Sequence, residues 1–147
     1  MRKFYIAKGF ENRDVILPKR GTSKSAGYDF STLEEITIKP NEKVLVNTGV
    51  KAEMEDDEVL LIFPRSSIAV KKGLQLTNSV AVIDADYFSN PNNDGHIMIP
   101  LNNISSKEVT LQKGERIAQG IFVKYLITDD DNSTSSRVGG YGSTGEK

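Results

Sequence analysis

Apolar residues in this chain fall into short runs separated by polar turns. β-type runs occupy positions 4–7, 36–38, 44–46, 59–63, 80–83, 97–101, 109–111 and 117–123. Lys39-Pro40-Asn41, Glu55-Asp56-Asp57, Asn92-Asn93-Asp94-Gly95 and Gln112-Lys113-Gly114 punctuate them. Many short strands with regular turns predict an all-β fold, a jelly-roll-like β-sandwich or barrel. One stretch reads as helical, Ser66–Lys72, with Ser66 as candidate N-cap and Gly73 as the stop. It is barely two turns long.

The last twenty residues differ in kind. From Thr128 to Lys147 only Val138 and Tyr141 are apolar, amid Asp129-Asp130-Asp131 and a Ser/Gly-rich stretch. Such a segment cannot offset its own ordering entropy. The chain therefore divides into a β domain over 1–127 and a flexible C-terminal arm over 128–147. From composition alone that arm reads as a frayed tail.

Composition narrows the chemistry. Nineteen Lys+Arg balance twenty Asp+Glu for a net charge of −1 over 147 residues. That balance argues against a nucleic-acid polymer or a membrane surface as partner, but leaves room for a small anion held by a few cations. With no cysteine, disulfides, zinc–thiolate sites and a Cys nucleophile are excluded. One histidine, His96, makes a His-rich metal cage or a Ser-His-Asp triad difficult, and reads as a hairpin residue without a catalytic role. No apolar run spans a bilayer, and no apolar segment follows the basic start Met1-Arg2-Lys3. A cytoplasmic protein is the default expectation.

Four segments can carry chemistry, each with an ordinary structural explanation beside it. Phe63-Pro64-Arg65-Ser66-Ser67 ends a strand and opens a helix, offering N–H groups, hydroxyls and a forked cation to an anion, or simply capping the helix. In the segment from Asn78 to Tyr87, an apolar strand runs into Asp84 and Asp86, which share a face if the strand continues. Those acids suit a metal or an activated water, or a solvated strand end. Lys113-Gly114-Glu115-Arg116-Ile117-Ala118-Gln119 is a turn and an alternating strand, explicable as a β-edge with surface polars. Arg137-Val138-Gly139-Gly140-Tyr141-Gly142-Ser143-Thr144-Gly145 offers successive backbone N–H groups to phosphates and an aromatic to a ring, without Walker A spacing.

Taken in order, these segments and Ser25-Ala26-Gly27-Tyr28-Asp29-Phe30 resemble the five motifs of the homotrimeric dUTPases. The resemblance runs from about Ser25 to Gly145, and three of the six arginines fall inside it. It implies hydrolysis of dUTP to dUMP and pyrophosphate by water attack on the α-phosphorus, assisted by Mg2+. That reaction limits uracil incorporation into DNA and supplies dUMP. Asp84 would orient and deprotonate the water, and an ordinary aspartate is a weak base, so placement would be its main contribution. Asn78 and the backbone of Val82, Ile83 and Asp84 would read the uracil edge, with Met98 contributing from the return strand. Tyr87 would lie under the deoxyribose and reject a 2′-hydroxyl. Arg65, Ser66 and Ser67 would hold the phosphates, and Gln119 would position the triphosphate with its hydrated metal. Asp29 and Arg116 would support the site structurally or through a metal-bound water, with no direct protein ligand to the metal. Tyr141 would stack on the uracil while Arg137, Gly142, Ser143 and Thr144 close over the phosphates. Each of the trimer's three sites would receive its arm from a different subunit.

Three departures from the family pattern stand out. Ala81 replaces a glycine, so a methyl must fit beside the base pocket. The stretch from Phe88 to Gly95 lengthens a tight hairpin, which bears on Met98 and leaves room for an additional protein partner. Arg137 lies one residue nearer the aromatic than is common, and Tyr141 stands for the frequent Phe. Two rival readings remain: a dCTP deaminase of the same fold, for which no well-placed glutamate follows the third motif, and a nucleotide-gated binding protein on this scaffold.

Overall fold

Alternation decides which faces of the strands build the core. In the computed structural model, which describes residues 1–137, 139 and 140, the described residues form eleven strands and one helix. The strands are β1 (Lys3–Ile6), β2 (Lys19–Arg20), β3 (Tyr28–Ser31), β4 (Ile36–Ile38), β5 (Lys43–Glu53), β6 (Glu58–Pro64), β7 (Leu74–Leu76), β8 (Ala81–Asp84), β9 (Ile97–Asn103), β10 (Val109–Leu111) and β11 (Arg116–Lys124). The helix α1 (Ser66–Lys72) joins β6 to β7, and a 3-10 turn, Ala85–Tyr87, follows β8.

All pairings are antiparallel. One sheet has the order β1-β5-β9-β7, a second β2-β3-β11-β6-β8, and β10 and β4 form a ribbon. Along β9, Ile97, Ile99, Leu101 and Asn103 are buried while Met98, Pro100 and Asn102 face outward in part, the period-2 pattern of a strand with one core face. Leu60 and Ile62 of β6 and Phe30 of β3 meet that face from the other sheet in one apolar cluster. Phe4 closes the end, packing edge-on against Tyr28 and Phe30 at centroid distances of 5.3 and 5.6 Å. The result is the expected all-β sandwich with one short helix.

The sequence-predicted strands are all present, but four details differ. β5 runs over eleven residues where three were expected. Asn47-Thr48-Gly49 has the composition of a turn, yet it forms a bulge inside the strand: the register passes from Asn47 opposite Met98 to Val50 opposite Ile97. Gly49 makes this possible, with φ of +75° and a position where a Cβ would lie 2.6 Å from Val15 Cγ2. β11 is not an edge strand, since β3 and β6 flank it. The helix N-cap is Arg65 rather than Ser66. Pro64 keeps the chain extended into Arg65, whose carbonyl then accepts the N–H groups of Ile68 and Ala69, leaving Ser66 inside the helix. Finally, the strand ends at Asp84 instead of continuing to Asp86, because the 3-10 turn begins at Ala85.

Beyond β11 no helix or strand occurs among the described residues. None of their helices is long and apolar enough to cross a membrane.

Candidate active site

The bend that ends β8 builds the first half of the site. β8 is an edge strand of its sheet, and after the 3-10 turn the chain crosses to β9 in the other sheet. Between them lies a cavity of about 210 Å³, lined by Asn78, Ala81, Val82, Ile83, Asp84, Tyr87, Met98, Pro100, Arg137 and Gly140. Pockets that enclose a whole drug-sized ligand run to roughly 300–1,000 Å³. This one has room for part of a nucleotide. The Ala81 methyl is buried in its wall, so the replacement of glycine is accommodated. Met98, opposite Asn47 in β9, lines the cavity despite the long hairpin before it. Pro100 is a lining residue that sequence reasoning missed; its alternation with Met98 on β9 was the available signal.

Tyr87 forms a wall of this cavity and is buried. Its hydroxyl donates to the His96 carbonyl at 2.6 Å and accepts from Asn93 Nδ2 at 2.9 Å. Burial pushes the phenol pKa above its ordinary value. His96 is a packing residue: its ring lies 4.3 Å from that of Phe10, and its Nε2 accepts the Gly49 N–H at 3.0 Å. Burial lowers its pKa to about 4.

Arg137 crosses the mouth of the cavity. Its guanidinium donates to Asp84 Oδ2 at 2.5 Å and to Asp86 Oδ1 at 2.7 Å, and to the Gly139 carbonyl at 3.1 Å. Asp84 and Asp86 thus lie close together although they are not on one strand. Gly140 packs on the Tyr87 ring, where a Cβ would come within 2.5 Å of Cε1. Among the described residues, then, Arg137 lies with Asp84 and not with the predicted phosphate residues. Tyr141, Gly142, Ser143 and Thr144 lie outside the described residues.

A second cleft lies where β3, β11 and the end of β6 adjoin. It is lined by Ser25, Gly27, Asp29, Arg65, Ser66, Arg116 and Gln119, among others. Asp29 is bracketed by two guanidiniums, Arg65 at 3.5 Å and Arg116 at 3.3 Å, so the trio carries a net positive charge. Gln119 stands opposite Asp29 in the β3–β11 register and donates to the Pro64 carbonyl at 3.5 Å. Gly27 lets it do so, since a Cβ there would lie 2.7 Å from Gln119 Oε1. Ser67, in the first turn of α1, lines neither cavity.

The two cavities share no lining residue. One chain thus offers an apolar slot with a carboxylate at its rim, and separately a cationic cleft. That is the equipment of a protein that handles a small molecule with a flat end and an anionic end.

Comparison with known proteins makes this specific. The dUTPase family model matches residues 13–145. A deoxyuridine 5'-triphosphate nucleotidohydrolase of Lactococcus lactis is 44% identical over 147 residues, covering 99% of this chain and 98% of that protein. Another from Hydrogenobaculum is 39% identical over 140 residues, covering 91% and 93% respectively. The crystal structure of dUTPase from Streptococcus mutans superposes with a TM-score of 0.81 at 47% identity, covering 86% of this chain and 98% of that one. The chain belongs to the dUTPase family, and its activity is the hydrolysis of dUTP. The deaminase reading is set aside.

Proposed function

We propose that the enzyme cleaves dUTP between the α- and β-phosphates by attack of water on the α-phosphorus, at sites shared between the subunits of a homotrimer. The observation that carries this reading is the division of the motif residues between two cavities with no common wall. A single nucleotide needs both, so the apolar slot of one subunit faces the cationic cleft of another. Residues 1–127 form the β domain, and the arm over 128–147 is supplied by a third subunit.

In this reading uracil enters the slot beside Asn78, Val82 and Ile83, and the sugar lies on Tyr87. The triphosphate extends to Arg65, Ser66, Ser67 and Gln119 of the neighbouring subunit. Both serines stand in the first turn of α1, where their hydroxyls can donate to phosphate oxygens. Asp84 takes the proton of the attacking water as the new P–O bond forms. The bridging P–O bond breaks, and pyrophosphate leaves with the electron pair. Arg137 must release Asp84 first, because a carboxylate committed to a guanidinium cannot also accept that proton. That release frees this chain's arm, with Tyr141, Gly142, Ser143 and Thr144, to close over the phosphates at another subunit's site.

The donor set in the cationic cleft fits a metal that arrives on the substrate. Asp29 is already neutralised by Arg65 and Arg116, which leaves it suited to a metal-bound water rather than to direct ligation. Asp29 and Gln119 would hold hydrated Mg2+ in this way. When bound, the ion neutralises charge on the phosphate oxygens. A cytoplasmic enzyme acting on free nucleotides, without a nucleic-acid polymer or membrane, completes the reading.

The test is turnover of dUTP in 18O-labelled water with mass analysis of both products. Attack at the α-phosphorus places the label in dUMP. Label in pyrophosphate would contradict it.

A further inference from the structure

The long hairpin between the 3-10 turn and β9 is built around one side chain. Ser89, Asp94 and Gly95 adopt positive φ values of 54°, 61° and 83°, so three of its residues hold a conformation that most L-residues avoid. An asparagine network keeps it there. Asn90, itself buried, donates through Nδ2 to the Tyr87 carbonyl at 2.7 Å and to Asn93 Oδ1 at 2.8 Å. Its Oδ1 accepts the N–H groups of Asn92 and Asn93. Asn93 Oδ1 also accepts from the Gly95 N–H at 3.1 Å, which leaves its amide nitrogen aimed at the Tyr87 hydroxyl.

The Tyr87 hydroxyl is thereby fully committed. Its single proton goes to the His96 carbonyl, and its oxygen accepts from Asn93. What Tyr87 offers the cavity is a ring face with no polar atom to spare. Two bonds to the hydroxyl also hold the ring against tilting, and selection against a small added group depends on a wall that does not yield.

We propose that Asn93 is a positioning residue for sugar selection: its amide locks the Tyr87 ring and so sets how strongly a 2′-hydroxyl is refused. This rests on the reading of Tyr87 as the residue under the sugar. It assigns the lengthened hairpin a role within the reaction, as an added brace on the specificity wall.

The test is steady-state kinetics of the full-length enzyme with dUTP and UTP. Asn93→Asp keeps an Oδ1 acceptor for Asn90 and Gly95 and turns the donor to Tyr87 into an acceptor; Tyr87→Phe removes that bond from the other end, together with the bond to the His96 carbonyl. Each is expected to lower the ratio of kcat/KM for dUTP over UTP by about tenfold, the discrimination that one hydrogen bond of ordinary strength supports. For Asn93→Asp the change should fall mainly in KM for UTP, with kcat for dUTP kept within about threefold. In the Tyr87→Phe background, Asn93→Asp should have no further effect. Equal losses on both substrates, or a full effect of Asn93→Asp without the hydroxyl, would overturn the proposal. Tyr87→Ala separates the two layers. If it collapses the ratio while Asn93→Asp leaves it intact, the brace is wrong and the sugar wall stands. If Tyr87→Ala leaves the ratio intact, the sugar wall itself is wrong, and the proposal falls with it.

Discussion

Acid should destabilise this protein through His96. The ring is buried against Phe10, and its Nε2 accepts the Gly49 N–H at the β5 bulge, so protonation would turn an acceptor into a donor facing a donor. Its pKa is lowered to about 4 in the folded chain against 6.5 for a free histidine. A depressed histidine pKa means that the unfolded chain binds the proton more readily. The contribution is therefore complete above pH 6.5 and is lost as pH falls from 6.5 toward 4, at about 1.4 kcal/mol per pH unit and about 3 kcal/mol in all. Urea unfolding followed by circular dichroism, at fixed protein concentration between pH 7.5 and 4.5, reads this directly. His96→Gln keeps an acceptor for Gly49 and removes the titration. The wild type should lose stability more steeply than His96→Gln across the window, with the difference in slope near that value. Parallel pH profiles would refute the reasoning.

Asn103→Ala should cost about 2–4 kcal/mol of unfolding free energy, because the buried amide donates to the Ile38 and Lys107 carbonyls and accepts from Ser105; urea midpoints at constant m-value measure it. Gly27→Ala places a methyl 2.7 Å from Gln119 Oε1 and should lower kcat/KM for dUTP by at least about tenfold through displacement of Gln119, with the thermal midpoint shifted by only a few degrees. Under the proposed role of the arm as a lid over the site, truncation after Thr128 should leave the assembly unchanged by analytical ultracentrifugation while removing most turnover.

Much of the fold was legible because its core faces alternate with little interruption. β4 and β10 match their apolar runs residue for residue, and β9 extends its run by two residues to a buried Asn103. Two of the strands that escaped detection lack that signal, and the third carries it only over three residues directly after a helix. β2 is Lys19–Arg20, both exposed; β3 holds Asp29 and Ser31 among its four residues; and β7 is three residues long behind a helix stop. The bulge in β5 was hidden because Asn-Thr-Gly serves turns and bulges alike. Strand order is set by contacts distant in sequence, so the central place of β11 had no local sign. Most of the described motif residues line one of the two cavities, yet nothing in their spacing announced that Arg137 would bridge Asp84 and Asp86, or that Asn93 would reach Tyr87. Both contacts depend on where the chain turns after Asp84, and that turn is set by the 3-10 geometry of Ala85–Tyr87.

Sharing of one active site between subunits is tested most directly by mixing two inactive variants. Asp84→Asn removes the proposed base from the apolar slot, and Arg65→Ala removes a cation from the other cleft. Each homotrimer should be inactive toward dUTP in a pyrophosphate-release assay. Co-expressed in equal amounts, with mixed trimers verified by native mass spectrometry, they should recover about one quarter of wild-type activity, the fraction of sites pairing an intact slot with an intact cleft when subunits assort at random. Mixed trimers that form and stay inactive would contradict the shared site and place both halves of the chemistry within one chain.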